Sequence, residues 1–182
     1  RCGLAEMIKH AIIGDPQLLE VIDTAMDSLL AADADVVGDL VARAVKVKVA
    51  VVEEDEREHG SRALLNLGHT FAHAIEPDAE LALKHGEAVA IGLVAAVALS
   101  RVLGCMEGEW DDRLVGVLDR AGLPTRIPLP RVPADLLGRM RFDKKIQDGR
   151  HRLIVPVAPG QVQIMDDVPE SSIIEAWQAV ID

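Results

Sequence analysis

A chain of 182 residues has room for one well-filled core with a small appendage, and not for two large independent domains. Hydrophobic residues make up 49% of it but aromatic residues only 2%, with no tyrosine; a core built from Ala, Val, Leu and Ile favours packed helices over a β-sandwich. The net charge of -11 and the isoelectric point near 4.9 argue against a nucleic-acid or anionic-membrane surface, which needs a basic face, and favour small molecules or proteins as partners.

In chain order, "GLAEMIKHAII" from Gly3 predicts a helix ending near Gly14, and Pro16 fits the first turn of a second, "PQLLEVIDTAMDSLLAA". Residues 35 to about 57 are rich in Val, but the run is too long for one strand and predicts a long helix. Gly60 breaks it, "SRALLNLGHTFAHAIE" reads as the next helical unit, and "PDAELAL" is its connection to an apolar helix from about Gly86 to Leu103. That apolar run is shorter than the roughly 20 residues a membrane span needs, so a buried helix explains it better. Gly104 ends it, and an amphipathic helix follows and stops at Gly122. Prolines 124, 128, 130 and 133 mark an extended connector, and "ADLLGRMRF" a further helix leading to "DKKIQDGR". "HRLIVPVA" and "QVQIMDDV", separated by "PG", predict a β-hairpin near 151–166, and "PESSIIEAWQAVID" closes the chain as a helix. The expectation is one mostly α domain over 1–182, bundle-like, with a two-stranded appendage.

Cys2 and Cys105 match no metal-binding or disulfide framework, so a reducing compartment, the cytoplasm, is the expected location. The chain opens on Arg1 inside a structured segment, which suggests a fragment without its N-terminal part.

Three groups of residues could carry chemistry. His69 and His73, at i and i+4 on one helix face, could share a metal ion or be ordinary hydrogen-bonded histidines. Glu76, one step further, could orient a histidine or simply end the helix. His85 and Glu87 flank Gly86 at the start of the apolar helix, where a polar cluster marks either a cleft or a helix cap. Lys9, Lys48, Arg62, Lys84, Lys144 and Lys145 lie beside these polar segments in an acidic chain. Gathered by the fold they would make a cationic pocket for phosphate or carboxylate groups; otherwise they are solvated charges paired with "EEDERE" at 53–58.

Four segments in order, "GLAEMIKHAII", "KVAVVEEDEREHGSRALLNLGHTFAHAIE", "KHGEAVAIGL" and "DKKIQDGRHRLIVPV", resemble the C-terminal domain of 3-dehydroquinate synthase, from Gly3 to about Val168. The resemblance implies the shikimate-pathway lyase that converts 3-deoxy-D-arabino-heptulosonate 7-phosphate to 3-dehydroquinate and phosphate, using a divalent metal (Zn2+ or Co2+) and a catalytic NAD+. It also implies Glu6, His69 and His85 as metal ligands, with His73 facing the substrate phosphate. Lys9, Lys48 and Arg62 match positions that hold substrate hydroxyls and carboxylate, and Asn66, His73 and one of Lys144 or Lys145 match positions near the phosphate. The related 2-deoxy-scyllo-inosose and 2-epi-5-epi-valiolone synthases share the "GHT" and "HGEAV" type segments, but Arg62 and "NLGHTFAHAIE" favour dehydroquinate synthase. Ala72, where the family commonly has Gly, and Lys84, before His85, depart from the family pattern. The family's N-terminal NAD-binding α/β domain has no counterpart here, so the isolated chain is expected to be inactive and the full-length enzyme a homodimer. Retention of the whole polar cluster speaks against a non-catalytic helical binding domain.

Overall fold

Apolar residues at helical spacing and few aromatics give a helical chain that ends in a short hairpin and a final helix. The computed structural model describes residues 1–56, 60–106, 110–140 and 151–181. In order these form α1 Cys2–Gly14, α2 Pro16–Thr24, α3 Met26–Leu30, α4 Ala34–Glu54, a 3-10 turn Ser61–Asn66, α5 His69–Ile75, α6 His85–Val102, α7 Trp110–Arg120, α8 Pro133–Met140, β1 Leu153–Ala158, β2 Gln161–Met165 and α9 Glu170–Gln178. The expected mostly helical architecture with an antiparallel hairpin is the one found.

Two expected helices are divided. The unit from Pro16 breaks at Ala25 into α2 and α3. Thr24 turns its hydroxyl back onto the Glu20 carbonyl at 2.8 Å, a bond that competes with the helical ladder and bends it. The segment Ser61–Glu76 is a 3-10 turn followed by α5, separated by Gly68 at φ 74°. A side chain there would put its Cβ 2.9 Å from the Leu93 backbone nitrogen, so only glycine serves at this corner. The long Val-rich run is helical, as expected: Asp33 caps α4 by accepting from Asp35 and Val36 N–H at 3.1 and 3.2 Å, which satisfies two of the unpaired donors of its first turn.

α6 is the hub. It packs against α1, α5, α7, α9 and β1, and most of its residues are buried. By length and composition it could cross a membrane, but 72% of that window is buried inside the protein, which accounts for its apolarity as a core helix. Alanine and glycine let its neighbours approach closely: a Cβ on Gly92 would lie 2.2 Å from the Gly68 carbonyl oxygen. That contact seats the start of α5 on the middle of α6. At the far side, Phe71 and Trp177 meet edge to face with centroids 5.0 Å apart, and the Trp177 indole N–H points at Met140 Sδ at 3.2 Å, joining α5, α8 and α9. The buried Ser100 hydroxyl donates to the Pro156 carbonyl and ties the hairpin to α6. α4 packs at the edge of this core, against α1 and the 3-10 turn, burying Leu40 and Ala44, and the Arg43 guanidinium ties it to Asp15 at 2.5 and 2.7 Å.

Candidate metal centre

Three elements bring their polar ends to one place: the first turns of α1, the start of α5 and the start of α6. Glu6 projects from α1, on the same helix as Lys9 and His10, His69 opens α5 directly after the Gly68 corner, and His85 opens α6. One ligand atom from each of Glu6, His69 and His85 lies within 4.8 Å of the others. Glu6 Oε1 is 3.5 Å from His69 Nε2 and 3.7 Å from His85 Nε2. Among the described residues this oxygen is the buried side-chain polar atom with no hydrogen-bond partner.

The far side of each imidazole decides what faces that oxygen. His69 Nδ1 lies 3.2 Å from the Leu67 carbonyl oxygen, and His85 Nδ1 lies 3.2 Å from both carboxylate oxygens of Glu76. A carbonyl and a carboxylate only accept, so each Nδ1 carries a proton, and the Nε2 of each ring is the atom that faces Glu6. In their neutral forms the two imidazoles turn lone pairs toward the same carboxylate oxygen. Such an arrangement repels itself unless a cation sits at its centre, and one carboxylate with two imidazoles is a donor set suited to zinc or a similar divalent ion. The residues fit a metal, and the Glu76–His85 pair is the outer support that metal-bound histidines usually have.

The electrostatics point the same way. Burial works to raise the Glu6 carboxyl, but the Lys9 ammonium, 2.6 Å from Glu6 Oε2, together with His69 and His10, outweighs it and keeps Glu6 below the usual carboxylate range. Burial first, and then Lys9, push His69 down and so favour its neutral form. His10, which the sequence reading passed over, is 8% exposed. Burial and the charges of Lys9 and Lys48 lower it to about 4, against the smaller opposing pull of Glu6. Its position one helical turn after Glu6 and next to Lys9 was the signal available in the sequence.

The remaining expected residues distribute as follows. His73 lies one turn beyond His69 with ring centroids 5.7 Å apart; it is exposed and is not in the converging group. Lys9 is buried beside Glu6, while Lys48 is exposed on α4. Arg62, half-buried in the 3-10 turn, donates its N–H to Asp55 at 3.1 Å and its guanidinium to the Glu56 carbonyl at 3.0 Å. In each of these two bonds one partner is a backbone group, so neither pairs the arginine charge with a carboxylate of the acidic run. Asn66 ends the same turn. Glu87 accepts from the Lys84 N–H at 2.8 Å and caps α6, leaving His85 alone of that doublet in the site. Lys144 and Lys145 lie outside the described residues.

The family description "3-dehydroquinate synthase C-terminal" matches residues 3–146. The chain belongs to this family. It is 42% identical over 181 residues to the 3-dehydroquinate synthase of Xanthomonas campestris pv. campestris, covering 96% of this chain and 49% of that protein. To the enzyme of Acidithiobacillus ferrooxidans it is 42% identical over 183 residues, covering 100% and 50%. The chain thus spans about half the length of the curated dehydroquinate synthases it matches. Among solved structures it resembles 2-epi-5-epi-valiolone synthase from Streptomyces hygroscopicus subsp. jinggangensis 5008, determined with NAD+ and Zn2+ bound, at TM-score 0.86, 26% identity and 99% and 50% coverage of the two chains. A 2-deoxy-scyllo-inosose synthase complexed with carbaglucose-6-phosphate, NAD+ and Co2+ shares the fold at TM-score 0.77 and 20% identity, with 99% and 52% coverage. The two cyclase structures agree with the mostly helical architecture expected from the sequence.

Proposed function

We propose that this chain is the metal- and substrate-binding half of a 3-dehydroquinate synthase, which converts 3-deoxy-D-arabino-heptulosonate 7-phosphate to 3-dehydroquinate and phosphate in the shikimate pathway of the cytoplasm. The observation that carries this reading is the convergence of Glu6, His69 and His85 on one point, with both Nδ1 atoms already engaged. Glu6, His69 and His85 would hold a zinc or cobalt ion, which when bound supplies the positive centre that acidifies a substrate hydroxyl. Lys9 keeps Glu6 ionised and adds a fixed positive charge beside it. Lys48 and Arg62 would bind the substrate's hydroxyls and carboxylate, the guanidinium suiting a planar anion. His73, exposed beside His69, would hand a proton to the leaving phosphate, with Asn66 and Lys144 or Lys145 holding the phosphate oxygens. NAD+ would be held by the half of the enzyme that the relatives have beyond the length matched here, and the assembled enzyme would be a homodimer. The free thiols Cys2 and Cys105 accord with a reducing compartment.

The test is a chimera in which this chain replaces the matching half of the Xanthomonas campestris enzyme. The chimera is expected to release phosphate from the heptulosonate substrate, and its His73→Ala variant to lose at least about a hundredfold in kcat, the scale of a positioned proton donor. This chain alone is expected to release none. A folded chimera that binds zinc but turns over only the substrate of a related cyclase would replace this reading with that one.

A further inference from the structure

The link between Glu76 and His85, nine positions apart in the sequence, has to hold a hydrogen bond between its own two ends, since Glu76 follows α5 and His85 opens α6. Asp78 organises that link. Its carbonyl accepts from the Leu81 and Ala82 N–H groups at 3.0 and 3.3 Å, its side chain accepts from the Glu80 N–H at 3.1 Å, and the turn is tight enough to drive Ala82 to φ 48°. Ala82 is not a glycine, so this left-handed conformation persists only where its surroundings impose it.

The same carboxylate reaches across to another part of the chain. Asp78 Oδ2 accepts from Arg131 Nε at 3.1 Å and from Arg139 at 2.8 Å. Arg131 also reaches Glu80 Oε2 at 2.9 Å. Asp78 is 8% and Arg131 15% exposed at the side chain, so this is a half-buried cluster with bonds to charged groups, stronger than surface pairs. Arg131 stands in the proline connector and Arg139 in the last turn of α8, whose neighbours are α5 and α9. The arginines hold Asp78 well below the usual carboxylate range, Arg131 most of all, so the cluster is fully charged at neutral pH.

We propose that Asp78 is a positioning residue for the metal centre: clamped by Arg131 and Arg139, it fixes the loop that aligns the Glu76 carboxylate with His85 Nδ1. The inference rests on the metal-site reading of Glu6, His69 and His85, and it acts through His85 without touching the ion or the substrate. Releasing the clamp lets Glu76 leave His85, and the imidazole then exchanges its Nδ1–H form for a mixture in which Nε2 carries the proton and no longer offers a lone pair to Glu6.

The metal-free chain supplies the decisive readout. Long-range 1H–15N spectra at alkaline pH report which nitrogen of each imidazole is protonated. Wild type is expected to show His85 as the Nδ1–H tautomer, and Asp78→Asn to move it to a majority of Nε2–H. Arg131→Gln, which removes the Asp78 and Glu80 contacts without altering the loop, is expected to move it the same way, while the His69 tautomer and the far-ultraviolet circular dichroism stay as in wild type. A His85 tautomer unchanged in both folded variants would overturn the proposal. Zinc affinity on the same samples is expected to drop about tenfold in each variant, the lower end of what losing an outer partner of a metal-bound histidine costs. A wild-type chain that takes up no zinc would sink the metal-site reading, whereas the tautomer result decides the role of Asp78 by itself.

Discussion

His10 is the residue whose chemistry is most sharply set by its surroundings. The unfolded chain binds a proton there at about 6.5 and the folded chain only at about 4, so between these values the unfolded state holds more protons and stability rises with pH. Stability is complete above pH 6.5 and is lost as pH falls toward 4. His69 and Glu6, both lowered, act in the same direction. Discounted for solvent screening, a lowering of this size corresponds to a loss on the order of 2 kcal/mol for His10. Urea unfolding of the metal-free chain at pH 7 and pH 4.5 is expected to show this fall, and His10→Gln to flatten it; equal slopes in the two proteins would contradict the assignment. Residue by residue, the sequence disclosed the site's members but not their relations. His69 and His73 at i and i+4 were visible as a pair, yet His69's partners in the converging group come from α1 and α6, a pairing that spacing along one helix does not encode. Glu87 looked equal to His85 and turned out to cap α6, because the two side chains leave the first turn in different directions.

At the scale of elements, the α5–α6 contact determines whether the site forms. Gly68 and Gly92 let the two backbones touch, and the side chain of His69, next to that contact, reaches back toward the start of α6, where the His69 and His85 rings lie 5.5 Å apart. Gly92→Ala would force its Cβ against the Gly68 carbonyl and is expected to destabilise the chain by about 3 kcal/mol, the upper part of the range for overpacking. Gly38, in the exposed part of α4 with nothing near its missing Cβ, makes the contrasting case: Gly38→Ala is expected to stabilise by about 0.5–1 kcal/mol through helix propensity. Denaturant midpoints with unchanged slopes check both, and a neutral Gly92→Ala would mean that the helices do not meet as described. Helix positions were legible because apolar periodicity and glycine or proline stops agree over α1, α4, α6 and the hairpin. The breaks at Ala25 and Gly68 were not, since a side-chain bond to Glu20 and a tertiary contact with Leu93 override local preference there.

For the whole molecule, an acidic chain sets Lys9 beside a carboxylate and three histidines where α1, α5 and α6 meet. Ordering by family resemblance separated His73 from His69 and His85, and the geometry separates them too: Glu6, His69 and His85 converge, and His73 stands exposed beside them. The Asp78 cluster fastens the loop behind that group to α8, and Asp15 with Arg43 fastens α4, so the polar ends are held from outside the core as well as by it. The central claim is that the three converging residues, and not the i, i+4 pair, hold a divalent ion. The direct measurement is zinc content and affinity of this chain and of its Glu6→Gln, His69→Ala, His85→Ala and His73→Ala variants, each checked for its unfolding midpoint. The account predicts that the first three lose the ion while His73→Ala keeps it within about threefold of wild type. Loss in His69→Ala and His73→Ala with retention in His85→Ala would contradict it and return the site to the paired histidines of α5.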